Sequence, residues 1–322
     1  MTTFSRFLSR KLLPAAVCAA ALVSMGAEAA ALRIATLPAS DSILLFAAES
    51  EGHFKKQGLE IELIPFKSAI EIGAAMRAGE LQGHYADIMN VLSQNATGVP
   101  QQIVATTTMA GNEQRNFALL TSPKASERIK SIEDLKKAGG TETAMSSATI
   151  IDYLLTRVEE TEKLSADVFK KTEIKQIPIR LQLLLASKMD TALLPEPLAT
   201  VVESKGGRAI WDDRSLAEPL AVVALRRDAI TPETVKAFRA ALSDAARSIE
   251  ADPEKFRKLM VEKRLLPPPA APRYPMPRYT IFSKDALLPL PTEADIARVG
   301  NWMVGKDMLK SVPTAEEVVV KP

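Results

Sequence analysis

Apolar positions along the chain recur with two periods, every second residue in short segments and every third or fourth residue in longer ones. The segments 32–36 and 59–65 have the pattern of strands, and a further strand starts near Leu81. Residues 43–58 and 69–78 have the spacing of amphipathic helices. Strands that alternate with helices predict a largely parallel sheet with helices on both faces.

The same alternation recurs further along the chain. A strand over 141–145 precedes a helix that begins after Thr149, and a helix over 180–187 precedes a strand over 190–194. The second of these units joins a helix end, a small polar turn and a short apolar strand, as residues 74–83 do earlier in the chain. We interpret this as one α/β plan used twice, which predicts two lobes in a chain of 322 residues.

The first residues of the chain have the pattern of an export signal. A basic start precedes an uncharged apolar run from Leu12 to Ala27, and small residues then predict cleavage near 29–31. A membrane anchor is the alternative, but this run contains Pro14 and is shorter than the roughly 20 residues that a spanning helix needs. The single cysteine, Cys18, lies in the run, so we expect a mature periplasmic chain without cysteine.

Composition and charge narrow the class of protein. The sequence is 47% hydrophobic and 25% charged, which is typical of a soluble globular protein and excludes disordered, collagen-like and polytopic membrane proteins. It has 41 basic and 39 acidic residues, and the first 29 residues hold three of the basic and one of the acidic ones, which leaves 38 of each. A chain without net charge or a basic block is not expected to bind nucleic acid.

The sequence lacks the usual signatures of catalysis and of metal binding. It contains two histidines, His53 and His84, and no H-E-x-x-H, G-x-S-x-G, Walker or G-x-G-x-x-G motif. Its four tyrosines include no adjacent pair that could help to hold a transition metal. We therefore predict no catalytic residue, no metal ligand and no cofactor, and a protein that is not an enzyme.

Polar side chains are concentrated where predicted strands end and predicted helices begin. In open α/β sheets, ligands bind beyond the carboxyl ends of the strands, and helix N-termini present free N–H groups and a partial positive charge there. For the hydroxyl and carboxyl residues the alternative is ordinary helix capping, and for a lone tyrosine it is a place in the core. The candidate ligand-binding residues are Ser40, Asp41, Ser68, Tyr85, Thr108, Ser146, Ser147, Thr149 and Glu196.

Motifs in the first part of the chain resemble those of a known family. Residues 48–61, with the run E-G-H-F followed by Q-G-L-E-I, resemble the opening of the solute-binding proteins of ABC importers. The branch in question handles sulfonates, nitrate, thiamine-pyrimidine precursors and riboflavin-like compounds. Residues 68–71, then 79–83 and Asp87, are similar to a second motif of that branch, although Gln82 stands where the family usually has Asp.

Two segments in the second part of the chain extend the resemblance. Residues 146–149 resemble the family's S-x-N-T turn, with Ala148 in place of the amide, and 194–197 resemble its acid-Pro turn, whose carboxylate faces the ligand in several members. The resemblance covers about residues 32–310. It implies the α/β type II periplasmic binding fold, in which two lobes, each a mostly parallel sheet flanked by helices, close over a small molecule.

The resemblance also implies where the lobes begin and end. After a signal peptide at 1–31, lobe 1 comprises 32–108 and 222–322, and lobe 2 comprises 109–221. The hinge crossovers are expected near 103–117 and 219–225.

The function implied is that of the extracytoplasmic solute-binding component of an ABC importer. Such a protein captures a small polar or aromatic molecule, delivers it to an ABC permease in the inner membrane, and is expected to be a monomer. We expect an anionic or acceptor group of the ligand at residues 146–149 and a donor or cation at Glu196. Two alternatives stay open, namely an enzyme on the same bilobal fold, similar to a pyrimidine-precursor synthase, and a ligand-sensing module for a receptor.

Overall fold

The structure is a computed structural model that describes residues 31–108, 114–279 and 287–321, so the predicted export segment lies outside it except for Ala31. No helix among these residues combines the length and the apolar character needed to cross a membrane. The strands are β1 (Leu32–Thr36), β2 (Ile61–Pro65), β3 (Gly83–Asp87), β4 (Gln101–Thr108), β5 (Phe117–Thr121), β6 (Thr141–Met145), β7 (Phe169–Glu173), β8 (Thr191–Pro195), β9 (Arg208–Asp212) and β10 (Ala221–Arg226). The α-helices are α1 (Ile43–Ser50), α2 (His53–Lys56), α3 (Ala69–Arg77), α4 (Ile88–Ala96), α5 (Ile132–Lys137), α6 (Ile150–Thr161), α7 (Ile177–Leu185), α8 (Leu198–Ser204), α9 (Pro232–Ala251), α10 (Pro253–Glu262), α11 (Glu293–Gly305) and α12 (Ala315–Val318).

The strands form two five-stranded sheets of the same design. The first sheet has the order β2-β1-β3-β10-β4, and the second has the order β7-β6-β8-β5-β9. In each sheet the first three strands pair in parallel, while the fourth strand runs antiparallel to both of its neighbours. The sheets are therefore mixed, whereas the alternation of strands and helices predicts mostly parallel ones.

The antiparallel strand in each sheet follows a passage of the chain from one sheet to the other. The chain leaves the first sheet after β4, enters the second sheet at β5, and returns from β9 to β10. Neighbouring strands that run in parallel are joined by a long crossover connection, usually a helix. A strand that arrives from the other sheet has no such connection to its neighbours.

Below, β1–β4 and β10 with α1–α4 are called the first half, and β5–β9 with α5–α8 the second half. The lobe boundaries given above stay a prediction.

Side-chain caps begin several helices directly after the parallel strands. The Ser68 hydroxyl accepts a hydrogen bond from Glu71 N at 3.2 Å at the start of α3, and the Asp87 carboxylate accepts one from Asn90 N at 2.6 Å at the start of α4. The Thr149 hydroxyl accepts one from Ile151 N at 3.2 Å at the start of α6. Each cap satisfies one of the backbone N–H groups that a helix leaves free at its first turn.

The region around α1 differs from the sequence prediction in two ways. Ser40–Ser42 form a 3₁₀ turn ahead of α1 without a side-chain cap, because the Asp41 carboxylate is bonded to the Tyr85 hydroxyl instead. The helix predicted over 43–58 is divided into α1 and α2. The division falls at Gly52, whose φ of +70° is a left-handed conformation that glycine adopts without strain.

The apolar side chains form three buried clusters. One packs β1, β4 and β10 against α1, α9 and α10, and a third lies between the second sheet and the helices α7 and α8. The remaining cluster joins the two halves, since it contains Leu92 of α4, Leu119 of β5 and Leu154 of α6, together with Met303 of α11. The described residues accordingly form one compact unit.

Candidate functional site

A cavity of about 50 Å³ lies between the two halves and is called the central cavity here. Both halves line it with residues from the ends of strands and from the first turns of helices. The first half contributes Leu37, Ala39, Ala69, Ile72, His84, Tyr85, Ala86, Asp87, Asn90 and Ala221. The second half contributes Phe117, Ser146, Thr149, Ile150, Ile151, Lys175, Ile177, Arg180 and Pro195.

Hydrogen bonds between the halves surround the central cavity. Ser40 N donates to the Glu196 carbonyl oxygen at 2.7 Å. Two more bonds join the starts of α3 and α7. Gln176 Nε2 donates to Glu71 Oε1 at 2.7 Å, and the backbone N–H of Ile177 donates to the Lys67 carbonyl oxygen at 3.1 Å. The two halves are therefore in contact around the cavity.

The polar wall of the first half is built from the end of β3 and the start of α4. Asp87 is buried, caps α4, and accepts a longer hydrogen bond of 3.4 Å from Ile150 N of the second half. Burial raises the pKa of its carboxyl group to about 6, so the group is mostly ionised at neutral pH. In the first turn of α4, the buried Oδ1 of Asn90 has no hydrogen-bond partner among the described residues. This wall therefore offers hydrogen-bond acceptors and a negative charge.

His84 lines the same wall but carries no charge. Its Nε2 lies 2.6 Å from Gln101 Oε1, and because that oxygen can only accept, the imidazole is the donor. Burial lowers the pKa of His84 to about 4. The histidine is therefore neutral, and its Nε2 is occupied within the first sheet.

The polar wall of the second half is built from the turn between β6 and α6 and from α7. Ser146 is buried, and its carbonyl oxygen accepts a hydrogen bond from the Thr149 hydroxyl at 2.8 Å. Thr149 also caps α6, and with Ile150 it places the N-terminus of this 12-residue helix at the cavity. A helix N-terminus carries a partial positive charge, so this part of the wall favours an acceptor or an anion.

Arg180 of α7 is the buried cation of the cavity. The residue is 2% exposed, and Nη1 donates to the Ile174 carbonyl oxygen at 2.9 Å, while Nε has no partner among the described residues. No carboxylate of the described residues forms an ion pair with it, and Glu173 acts on its charge only at longer range. Burial lowers the pKa of its guanidinium to about 10, which leaves the group protonated at neutral pH. A buried charge without a counter-ion is costly, so this residue calls for an explanation.

Of the nine residues predicted to contact a ligand, the structure brings three to the central cavity, namely Tyr85, Ser146 and Thr149. The Tyr85 hydroxyl is already engaged, because it donates to Asp41 Oδ1 at 2.8 Å. Asp41 itself is buried and also accepts hydrogen bonds from the Thr107 and Thr108 hydroxyls. Asp41 and Thr108 thus belong to a hydrogen-bonded cluster inside the first half.

Ser40 and Glu196 line a separate groove of about 630 Å³. The buried carboxylate of Glu196 accepts from Arg115 Nε at 2.6 Å and from Thr200 N at 3.1 Å, and Arg115 also pairs with Glu203. The carboxylate that the sequence assigns to a ligand donor or cation is therefore neutralised within the protein.

The remaining two predicted residues lie outside both spaces. The Ser68 hydroxyl caps α3, and the exposed Ser147 donates its hydroxyl to Glu173 Oε2 at 2.6 Å. Whether any of the nine residues contacts a ligand stays a prediction.

The polar cavity residues outside the nine predicted ligand contacts are Arg180, Asn90, Asp87, His84 and Lys175. The sequence does contain a signal for the first, because Arg180 stands among Ile177 and Leu184 at the spacing of one helix face. A charged residue on the buried face of a helix is rare unless it has a partner or a function. Asn90 carries no such signal, since its role depends on where α4 lies. In the described residues, no group of three or more His, Cys, Asp or Glu side chains could hold a metal ion.

Two mixed α/β sheets of one strand order, connected by two passages of the chain with a cavity between them, define the type II periplasmic binding fold. The chain belongs to the NMT1-like family, whose model matches residues 25–263. This match agrees with the resemblance of the sequence motifs, and the predicted fold class is confirmed. No curated protein matches the chain.

Three solved structures illustrate the shared fold. The alkanesulfonate-binding protein SsuA from Xanthomonas axonopodis pv. citri, bound to MOPS, is 18% identical with a TM-score of 0.70, covering 91% of this chain and 97% of that one. The periplasmic aliphatic sulphonate binding protein SsuA from Escherichia coli is 16% identical with a TM-score of 0.70, covering 89% and 97%. A Candida albicans protein described as exhibiting the generic periplasmic binding protein structural fold is 10% identical with a TM-score of 0.64, covering 91% and 98%.

Proposed function

We propose that the protein is the extracytoplasmic solute-binding component of an ABC importer and holds a small polar or aromatic molecule in the central cavity. The observation that carries this proposal is that strand ends and helix N-termini of both halves line one cavity. The two bacterial neighbours are sulfonate-binding proteins by description, and one was solved with MOPS bound. Neighbours of this kind also favour binding over catalysis.

A ligand in the central cavity would touch both halves at once. A molecule that binds the closed arrangement better than an open one shifts the population toward the closed state by its difference in affinity. The hydrogen bonds of Gln176 and Ser40 to the opposite half would then form as the halves close. A permease in the inner membrane could distinguish the loaded protein by this contact between the halves.

The candidate contacts are sorted by position. We assign ligand contact to Tyr85, through its ring, and to Ser146, Thr149 and Arg180, which line the cavity. We assign structural roles to Asp41, Ser68, Thr108, Ser147 and Glu196, since their side chains are bonded within the protein.

The proposal places the mature chain in the periplasm as a monomer, with the lobe boundaries given above.

The groove lined by Ser40 and Glu196 is the less suitable ligand site. Its arginines are paired within the protein, Arg115 with Glu196 and Glu203, and Arg214 with Asp212.

Filling the cavity tests the proposal. Ala69 lies at the first turn of α3 and lines the cavity, so Ala69→Trp should block it, whereas Ala74→Trp places the same side chain on an exposed part of the same helix. Native mass spectrometry should show a small molecule that co-purifies with the wild type and with Ala74→Trp but not with Ala69→Trp. A thermal-shift screen measures the same difference, since a ligand that binds the folded state raises the melting temperature. A solute that binds Ala69→Trp as well as wild type would place the site elsewhere.

A further inference from the structure

The two walls of the central cavity carry opposite charges. The first half presents the carboxylate of Asp87 and the oxygen of Asn90, both from the start of α4. The second half presents the guanidinium of Arg180 and the N-terminus of α6. Asp87 and Arg180 are not ion-paired with each other, so neither charge neutralises the other by direct contact.

Each wall also keeps one polar atom without a partner. Within the part of the chain that the structure describes, Arg180 Nε is a buried donor with no acceptor, and Asn90 Oδ1 is a buried acceptor with no donor. Buried polar atoms are almost always hydrogen-bonded, and leaving one unpaired is costly. A helix N-terminus alone would not define a ligand site, but here an unpartnered and almost fully buried arginine lies on the same wall. One wall thus has an unused hydrogen-bond donor and the other an unused acceptor. This indicates a ligand that carries both an acceptor group and a donor group.

The buried charges of the cavity disfavour simpler ligands. Lys175 also lines the cavity, but it is exposed, so solvent screens its charge and the buried charges are those of Asp87 and Arg180. A plain anion would pair with Arg180 but would be repelled by the Asp87 carboxylate, and a plain cation would be repelled by Arg180. A molecule with one positive and one negative end satisfies both walls and adds no net charge to a buried space.

We infer, on the basis of the proposed function, that the central cavity binds a small zwitterion. Its ammonium end lies against Asp87 and Asn90, and its acid end lies against Arg180. The first N–H groups of α6 are bonded to Asp87 and Thr149, so α6 contributes the partial positive charge of its N-terminus and Arg180 contributes the hydrogen bonds. The acid is a carboxylate or a sulfonate, because both present oxygens that a guanidinium binds. The apolar residues Ile72, Phe117 and Ile177 cover the short chain between the two ends.

The space limits the size of this molecule. A cavity of about 50 Å³ has room for roughly four water molecules, so the two ends of the ligand are separated by a short chain. A ligand that spans the cavity in this way contacts both halves and stabilises their closure.

Matched probes test the inference by calorimetry. The bipolar probes are 3-aminopropanoate and 2-aminoethanesulfonate, which distinguish the two acids. The controls are propanoate and ethanesulfonate, which lack the amine, and ethylamine, which lacks the acid. At least one bipolar probe should bind about tenfold tighter or more than each of its own controls, because each charge-assisted contact contributes about 1.5–3 kcal/mol.

Two variants assign the ends of the ligand. Arg180→Met should weaken the bipolar probe at least about tenfold but should not weaken ethylamine, which the guanidinium repels, whereas Asp87→Asn should reduce the bipolar probe to the affinity of its acid-only control. The asparagine retains an oxygen that can cap α4. Asn90→Ala serves as a second first-half variant in case Asp87→Asn does not fold. Ser147→Ala is the matched control, since its hydroxyl is bonded to Glu173 outside the cavity, and it should bind like wild type.

The outcomes separate this inference from the proposed function. If an acid-only or amine-only control binds as tightly as the bipolar probes, or if neither bipolar probe binds, the inference that the ligand is a zwitterion is wrong. The solute-binding function would still stand if the cavity-blocking Ala69→Trp removes a co-purifying molecule of another kind. If Ala69→Trp changes the binding of no molecule while a zwitterion binds, the central cavity is not its site and both proposals fall.

Discussion

The first and second halves of the protein share one strand order but supply different chemistry to the space between them. In the first half, the carboxyl end of β3 leads into α4 and contributes Asp87 and Asn90. In the second half, the carboxyl end of β6 leads into α6, and Arg180 comes from the neighbouring helix α7. One half is therefore the acceptor wall, and the other is the donor wall.

This difference shows what a repeated scaffold can and cannot fix. The strand order determines that helix N-termini from both halves meet at one cavity, as is general for open α/β sheets. The side chains at those positions are free to differ, so two similar halves can recognise opposite ends of one ligand. Specificity then resides in a few residues such as Asp87 and Arg180, and the shared topology is compatible with many ligands.

The largest effect on stability is expected from Arg180→Met. Removing a buried cation that has no counter-ion should raise the free energy of unfolding of the ligand-free protein by about 1–3 kcal/mol. The matched control is Arg157→Met in the same half, which breaks ion pairs with Glu160 and Glu218 and should not stabilise the protein. Urea denaturation measures both. If Arg180→Met destabilises the protein more than Arg157→Met does, then Arg180 serves the fold and not the cavity.

Buried tyrosines give a second comparison of the halves. Tyr85 in the first half donates to Asp41, a buried carboxylate held by hydroxyl groups without a cation. Tyr153 in the second half donates to Glu218 at 2.5 Å, and Arg157 also pairs with that carboxylate. Tyr85→Phe should therefore lower the free energy of unfolding by about 1–3 kcal/mol, and Tyr153→Phe by less than about 1 kcal/mol.

Thermal denaturation ranks these two tyrosine variants. Equal losses would contradict the view that Asp41 depends on uncharged donors, Tyr85 among them, where Glu218 also has an arginine.

A smaller effect concerns the dependence of stability on pH. Asp213 follows β9 and accepts hydrogen bonds from Asn116 N at 2.9 Å and Phe117 N at 3.1 Å, both through Oδ1. Burial, with the neighbouring Asp212 carboxylate, raises its pKa from 3.8 to about 7. The folded state then binds more protons than the unfolded state between about pH 4 and pH 7, so stability falls as the pH rises through this window.

Asp213→Asn should remove this part of the pH dependence. The asparagine oxygen can still accept both backbone hydrogen bonds, so the fold is expected to persist. Urea denaturation across the window should give a flatter curve for the variant, although Asp87 still contributes a slope of the same sign. An unchanged slope would mean that Asp213 ionises normally in the folded protein.

The smallest effect is expected at the contact between the halves. Gln176→Ala removes the hydrogen bond to the Glu71 carboxylate and should weaken ligand binding about two- to fivefold, because solvent screens this half-buried bond to about 0.5–1 kcal/mol net. Gln182→Ala on the exposed face of α7 is the control and should leave binding unchanged. Calorimetry with the solute found in the screen measures both. A loss as large as that of Arg180→Met would show that closure, not contact with the ligand, dominates affinity.

Much of the fold could be predicted from the sequence because its signals are local. The period of apolar residues gives β6 and α6 almost to the residue, and Ser68 and Thr149 begin helices as short polar residues usually do. The prediction was less accurate where a long-range contact decided the outcome. Asp41 has the sequence position of a cap, but its carboxylate is bonded to Tyr85 on another strand.

The sequence by itself determined the α/β class, the use of one plan twice and the positions where helices begin, since these follow from periodicity and capping between near neighbours in the chain. Only the tertiary structure decided which polar groups share the central cavity. Arg180 and Asp87 are far apart in sequence, and their common environment arises from the packing of α7 and α4 around two sheets that are joined by two passages of the chain. Ion pairing between side chains also depends on packing, which is why Glu196 is paired with Arg115 while Arg180 has no ion-pair partner among the described residues.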